Sequence, residues 1–174
     1  MYFAAFPDIL YDSVGNGDSK VVTNLLRRVA IRAKVKENTL VFDTYDVKEG
    51  ETPEIIADKL YGDPELHWVI LMANNIVDYY TQWPMTVPTF EKYVKEKYDD
   101  VNGIHHYEYS QESGDTTKII ELPNESAPTI PAGATIITNY VYEERIQESS
   151  RRIRLIQPRF IDGIKKEFKN LMNG

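Results

Sequence analysis

Apolar positions along the chain change period several times, and each change marks an element. Val21, Val22, Leu25, Leu26 and Val29 recur at helical spacing. This predicts a helix over 19–33, with Asp18 or Ser19 as its N-cap and Arg27, Arg28 and Arg32 off the apolar stripe. Asn16-Gly17 just before it is a turn signal. The first dozen residues, among them Tyr2, Phe3, Phe6, Ile9, Leu10 and Tyr11, are apolar without a clean period. They read as an extended arm that must pack on this chain or on a partner.

The sharpest pattern runs from Leu40 to Pro88. Leu40, Phe42, Tyr45 and Val47 suit a short strand, and Gly50 supplies a turn. Thr52 is a good N-cap and Pro53 falls at N1, where its missing N–H costs nothing. Ile55, Ile56, Ala57 and Leu60 give an apolar face, and Gly62 fits the left-handed position that ends a helix. Asp63 and Pro64 repeat the cap at once. Leu66, Val69, Ile70 and Ala73 make the next stripe, flanked by Trp68 and Met72, and Asn74-Asn75 stops it. Two short helices joined so tightly must pack as a hairpin on the preceding strand. The chain should turn after Asp78-Tyr79-Tyr80 and Trp83-Pro84.

Thr89 can cap a third helix with Phe90, Tyr93, Val94 and Lys97-Tyr98 on one side. Residues 104–109 and 117–122 read as strands around a loop containing Ser113-Gly114. Pro123, Pro128, Pro131 and Gly133 make 123–133 a loop that cannot join a central sheet. Further strands are predicted at Ala134–Val141 and Arg152–Ile156. Pro158 then introduces a final helix with Phe160, Ile161, Ile164, Phe168, Leu171 and Met172 on one face.

Charge changes the picture more than bulk composition does. The 174 residues carry a formal net charge of −7, but the sign is segmented. Residues 1–19 contribute −3 and residues 20–36, with six basic groups and no acid, contribute +6. Residues 37–150 hold seven basic and 22 acidic groups, whereas 151–174 return to seven basic against two acidic. Two basic segments bracket an acidic middle. Nucleic-acid binding wants a concentrated cationic face on a basic domain, so an acidic chain with basic residues on apolar-periodic segments argues for solvated faces or protein contacts instead. With no cysteine there is no disulfide framework, thiolate nucleophile or Cys-based zinc site. No stretch approaches the roughly 18–20 apolar residues of a membrane span, and Met1 to Pro7 lacks the features of a signal peptide. The expectation is a soluble protein made in a reducing cytoplasm.

Candidate chemistry is sparse. The histidines are His67, His105 and His106. Adjacent residues on a strand point to opposite faces, so His105 and His106 are poorly placed to share a metal, and His67 has Leu71 four residues on rather than a ligand. Acids are plentiful, as at Asp99-Asp100 and Glu143-Glu144, but glycoside hydrolysis needs two of them facing across a cleft. No nucleophile elbow, Walker loop or dinucleotide glycine pattern occurs. No catalytic, cofactor or metal residue is expected. The aromatic cluster Tyr79, Tyr80 and Trp83 suits a sugar platform, a protein interface or a core cap.

Two resemblances sharpen this. The run from Val47 to Ile76, with Gly50-Glu51-Thr52, Tyr61-Gly62, Trp68 and Ala73-Asn74, resembles a LysM domain. That family implies a βααβ fold, and many members bind N-acetylglucosamine-containing glycans between two loops. Here those loops would be Gly50, Glu51 and Thr52, and Asn75, Ile76, Val77, Asp78 and Tyr79. The stretch after Asp78 departs from the pattern: it lacks the usual glycine turn and runs into a helix. A longer match is carried by Tyr61-Gly62-Asp63-Pro64-Glu65-Leu66-His67-Trp68-Val69-Ile70-Leu71-Met72 with Asn74, Asp78, Tyr79-Tyr80 and Trp83. Phe6-Pro7-Asp8-Ile9-Leu10-Tyr11 and Arg152-Ile153-Arg154-Leu155-Ile156 follow at the two ends. It is similar to the LysM-bearing baseplate wedge subunits of T4-like contractile-tailed phages, and nothing is carried over for 99–140.

The resemblance implies an α+β protein in four parts: an N-terminal arm and helix (1–39), a LysM-like βααβ domain (40–88), a helix plus β-hairpin region (89–150) and a C-terminal strand and amphipathic helix (151–174). It implies a structural part of the virion tail baseplate, made and assembled in the host cytoplasm. Such a part joins wedges in a sixfold assembly and contacts other wedge subunits and the sheath-initiating subunit. It performs no chemistry and touches neither nucleic acid nor membrane. Phe3, Phe6, Tyr11, Tyr79, Tyr80, Trp83, Phe160, Ile164 and Phe168 are the expected contact residues. Gly50, Thr52, Asn75, Asp78 and Tyr79 are the expected remnant of a glycan groove, and a glycan-binding LysM module is the alternative.

Overall fold

The computed structural model describes residues 2–27, 29–31, 39–113, 116–124 and 130–173. Arg28, Arg32, Lys34 and Lys36 of the basic segment, Gly114 of the hairpin turn and Pro128 of the proline-rich loop lie outside the described residues. The fold is α+β, and the chain divides into two compact units: Met1–Gln82 with Arg152–Gly174, and Trp83–Arg151.

The first unit opens with a 3-10 turn, Tyr2–Ala5, and two strands, β1 (Asp8–Tyr11) and β2 (Lys20–Thr23). They pair antiparallel in the register Asp8↔Thr23 to Tyr11↔Lys20. The helix expected over 19–33 is therefore overturned where it should begin. The cause is the turn between the strands. The Asp12 carboxylate accepts the N–H groups of Val14 (3.1 Å), Gly15 (2.7 Å) and Gly17 (2.7 Å). Gly15 and Gly17 both take positive φ, which glycine alone adopts without strain. The chain is turned back on itself, and the β-branched run Val21-Val22-Thr23 accepts the extended conformation readily. The Asn24 N–H donates to the Pro7 carbonyl at 2.8 Å and carries the ribbon one step further.

Strand β3 (Phe42–Asp46) leads into helix α1 (Pro53–Tyr61). The local signals act as read. The Thr52 side chain accepts from the Ile55 N–H, and Gly62, at φ 69°, donates its N–H to Asp58. The Asp63 side chain accepts from the Glu65 N–H and starts the 3-10 turn Pro64–Leu66, which passes into α2 (His67–Ala73). Asn75 follows at φ 57°, and a single helical turn, α3 (Tyr79–Gln82), closes this stretch. The partner of β3 comes from far along the sequence: it is β7 (Arg152–Ile156), antiparallel, with Phe42 opposite Ile156 and Asp46 opposite Arg152. Residues 40–88 accordingly do not close on themselves, because their second strand lies beyond the inserted unit.

Ile56, Ala57, Val69, Ile70 and Ala73 from the two helices and Ile153, Leu155 and Ile156 from β7 are buried. The Asn74 side chain locks this packing. Its amide donates to the Arg154 carbonyl (2.8 Å) and accepts from the Arg154 N–H (2.8 Å), as a neighbouring strand would. After a 3-10 turn at Pro158–Phe160, helix α6 (Ile161–Asn173) ends the chain as expected. Phe168 and Met172 form a second buried cluster with Phe6, to which Tyr2 and Trp68 add partly buried faces.

In the second unit helix α4 spans Val87–Lys97 with Thr86 as N-cap. The start expected at Thr89 is too late, because Pro88 fits the first turn of a helix and so belongs inside it. Three strands follow, β4 (Ile104–Ser113), β5 (Thr116–Pro123) and β6 (Thr135–Thr138), in the order β5-β4-β6. The strand expected over Ala134–Val141 is half right. It stops at Thr138, and Asn139 starts helix α5 (Asn139–Arg151), a helix the sequence reading missed. The main chain explains the switch: the Asn139 and Tyr140 N–H groups donate to the carbonyls of Gly103 and Val101 rather than to a further strand. Glu143 is buried on α5 and is met by the Lys97 ammonium (2.8 Å) and the Tyr98 hydroxyl (2.7 Å).

Candidate protein-interaction surface

In the β1–β2 ribbon, residues directly opposite share a face. One face carries Leu10 against Val21, the other Ile9 against Val22. Leu10 is 73% exposed and Val21 68%, and Val14 in the turn and Leu26 after β2 are exposed too. Soluble chains seldom leave such apolar groups contiguous in water without a use for them. Tyr11 is exposed on the same ribbon. The Asp12 carboxyl that shapes the turn is held below its usual range, first by the Gly17 N–H.

Beside the ribbon the aromatic arm is anchored to its own unit. Tyr2 stacks on Phe168 with centroids 5.1 Å apart, and Trp68 lies 4.6 Å from the same ring. Phe6 and Phe168 are buried, so these two expected contact residues are core, while Phe3 remains exposed. Phe6 lies one turn of chain from Tyr2, and that spacing carries both rings onto the apolar stripe of α6. Ile164 lines an open apolar groove of about 450 Å³ whose other walls include Val41, Trp68, Ile156 and Leu171. Arg27 donates to the carbonyls of Leu171 (3.3 Å) and Met172 (2.8 Å), a favourable place for a cation at a helix C-terminus. Phe160 is half-buried, with the Arg159 guanidinium 4.8 Å above its ring.

The aromatic cluster of 79–83 splits. Tyr80 is exposed and its ring lies 5.7 Å from that of Tyr79, whereas Trp83 is buried and takes the core role. In the expected glycan loops the polar groups are largely used by the fold. Thr52 caps α1, and Gly50 takes φ 75° to turn the chain. The Asp78 carboxylate accepts from the Tyr80 N–H (3.0 Å) and the Thr81 hydroxyl (2.7 Å). Burial and the nearby Glu54 carboxylate push the Tyr79 hydroxyl up.

Within the first loop Glu51 is a buried acid, a burial the sequence pattern does not show. It accepts from the Tyr45 hydroxyl (2.7 Å), the Lys48 N–H (3.0 Å) and the Lys59 ammonium (2.6 Å). Burial raises its pKa, but these three donors outweigh burial and bring it to about 2. Its only sequence signal is a lone acid inside a capped turn, which looks the same as a surface residue. Leu10 belongs to the arm expected to pack on this chain or a partner, but its strand partners Val21 and Val22 were expected in a helix, although Asn16-Gly17 marked the turn between them.

His105 and His106 do not point to opposite faces as expected of adjacent strand residues. Ile104 pairs with Thr138 but His106 with Ile137, so His105 is the extra residue of a bulge. The two rings therefore converge instead of pointing apart, Nδ1 to Nδ1 at 2.8 Å. Among the described residues no helix is long and apolar enough to cross a membrane.

The first unit thus combines a helix-covered β3–β7 pair with an exposed apolar β1–β2 ribbon, and Thr52, Asp63 and Asp78 are engaged in capping and turning the chain. A family model described as base plate wedge protein 53 matches residues 1–128, and the chain belongs to that family. It is also 33% identical over 72 residues to the baseplate wedge protein gp53 of Enterobacteria phage T4, a stretch covering 41% of this chain. The match spans 37% of that relative, so well under half of its length is represented.

Proposed function

We propose that this chain is a structural subunit of a phage tail baseplate wedge that joins wedges to one another as the sixfold baseplate assembles. The observation that carries the reading is the apolar β1–β2 ribbon, which lies inside the family match at 1–128 and leaves Leu10 and Val21 in water. An isolated two-stranded ribbon is marginal in water, and a neighbouring wedge subunit would bury it. Its partners are the other wedge subunits and the sheath-initiating subunit, and its place is the virion tail after assembly in the host cytoplasm. The strand-helix-helix-strand order of β3, α1, α2 and β7 supports a LysM-like core. The commitment of Thr52 and Asp78 to capping favours an architectural use of that core over a sugar-binding one.

Reconstitution tests this directly. Mixing the full chain with the remaining wedge subunits should convert single wedges into star-shaped hexamers, seen by electron microscopy and sedimentation. Hexamers forming equally well without it would sink the proposal.

A further inference from the structure

We propose that His106, Glu108 and Glu121 form a binding site for one divalent first-row transition ion, zinc being the best match, on the three-stranded sheet of the inserted unit. Residues two apart on a strand share a face, which puts His106 and Glu108 together on β4. Glu121 lies directly opposite Glu108 on β5. One ligand atom from each of the three comes within 4.8 Å of the others.

Two carboxylates facing each other across a ladder repel, and a third group makes the arrangement more demanding. The His106 side chain is 9% exposed, and its Nε2 is buried with no hydrogen-bond partner. The nearest carboxylate oxygen, on Glu108, is 3.6 Å away, beyond hydrogen-bonding range. A buried polar atom left in this state is costly.

The other ring nitrogen points to the remedy. His106 Nδ1 lies 2.8 Å from His105 Nδ1, and His105 is itself stacked on Tyr142 at 3.8 Å. With His105 accepting, the proton sits on His106 Nδ1 and the Nε2 lone pair faces the cleft. Metal-binding histidines are held in just this way by a partner on the far nitrogen. A dication would satisfy the lone pair and both carboxylates together. An imidazole nitrogen with two carboxylates suits zinc and its neighbours, whereas magnesium and calcium favour all-oxygen sites. The cleft, about 220 Å³ and lined also by Ser149 and Arg145, has room for the water that completes a three-ligand zinc shell.

Arg145 is the competitor. It pairs with Glu108, but its side chain is 52% exposed and can swing into solvent when the ion enters. Glu121, also exposed, opens the way in. The bound ion would clip β4 to β5 and stabilise the inserted unit by mass action. This inference does not rest on the baseplate reading.

The test is zinc binding to the full chain after chelator treatment, by calorimetry and by metal analysis after dialysis. One ion per chain is expected, with a dissociation constant of about 10 μM or tighter, unaffected by excess magnesium. Glu121→Gln, on an exposed strand position, should weaken binding about tenfold or more with an unchanged circular dichroism spectrum. Arg145→Gln should tighten it by removing the competing cation, and His67→Gln should leave it unchanged. No zinc uptake below millimolar concentration would overturn the site. Uptake indifferent to both Glu121→Gln and Arg145→Gln would overturn it equally, leaving His106, Glu108 and Arg145 as a plain ion-pair network.

Discussion

The first unit contains two antiparallel two-stranded ribbons, and they meet water in opposite ways. In β3–β7 the strand β7 buries Ile153, Leu155 and Ile156, and the α1–α2 hairpin supplies the apolar cover. In β1–β2 all eight positions are exposed. Backbone pairing is the same in both, so the ladder alone does not decide where stability resides. What differs is whether helices cover a face, and the uncovered ribbon is held mainly by its turn and its ladder. Stability of the isolated chain should therefore live at β3–β7, and assembly at β1–β2.

The largest effect should come from emptying the covered side. Ile70 is fully buried, and Ile70→Ala should cost about 3–4 kcal/mol in urea denaturation, the usual range for a buried aliphatic cut back to alanine. Asn74→Ala should cost about 2 kcal/mol, because the two hydrogen bonds that join its side chain to the Arg154 main chain are lost. If it cost nothing, the clip between α2 and β7 would be ornamental.

Next comes acid sensitivity. Glu51 has its pKa depressed from 4.5 to about 2, so the folded state favours its ionised form. That contribution is fully present above pH 4.5 and is lost as pH falls from there toward 2. Glu51→Gln should flatten the fall measured by denaturation between those values, and it should lower stability at neutral pH by about 1–3 kcal/mol. The smallest change in stability belongs to the bare ribbon. Leu10→Ser with Val21→Ser should alter the isolated chain by about 0.5 kcal/mol or less, yet it should abolish incorporation into reconstituted hexamers. A large loss of stability with normal incorporation would reverse the assignment of the two ribbons.

How well the sequence disclosed each region follows from where its information sits. Thr52-Pro53, Gly62-Asp63-Pro64 and Asn74-Asn75 are local signals, complete within a few residues, and the α1–α2 hairpin formed as they specify. The amphipathic stripe of α6 was equally plain. By contrast, β2 was read as helix because Val21, Val22, Leu25, Leu26 and Val29 satisfy a helical period, while the decisive interaction is a carboxylate at Asp12 gathering three amides of the turn. Helix α5 was lost because Tyr140, Val141 and Tyr142 favour strand, and Glu143 is its buried residue, an acid that no apolar pattern can reveal. The pairing of β3 with β7 is invisible to any local window. Of the expected surface, Phe3, Tyr11, Tyr79 and Tyr80 lie outside and Phe6, Trp83 and Phe168 inside. Aromatic content marks where bulk is needed without saying which side of the surface it is on.

The placement of β7 beyond the inserted unit bears on the order in which the protein can be made. During synthesis the chain emerges from its N-terminus, so β3, α1 and α2 leave the ribosome well before Arg152–Ile156 exists. Until then Val69 and Ile70 have no strand to close over them. The inserted residues 83–151 are complete earlier and can fold first. At a typical rate of about 5–20 residues per second, the waiting time is several seconds, during which the exposed helix face is open to wrong partners. Strand β7 thus acts as a timer for β3, α1 and α2, and a stall after residue 151 would leave a finished insert and an unfinished frame.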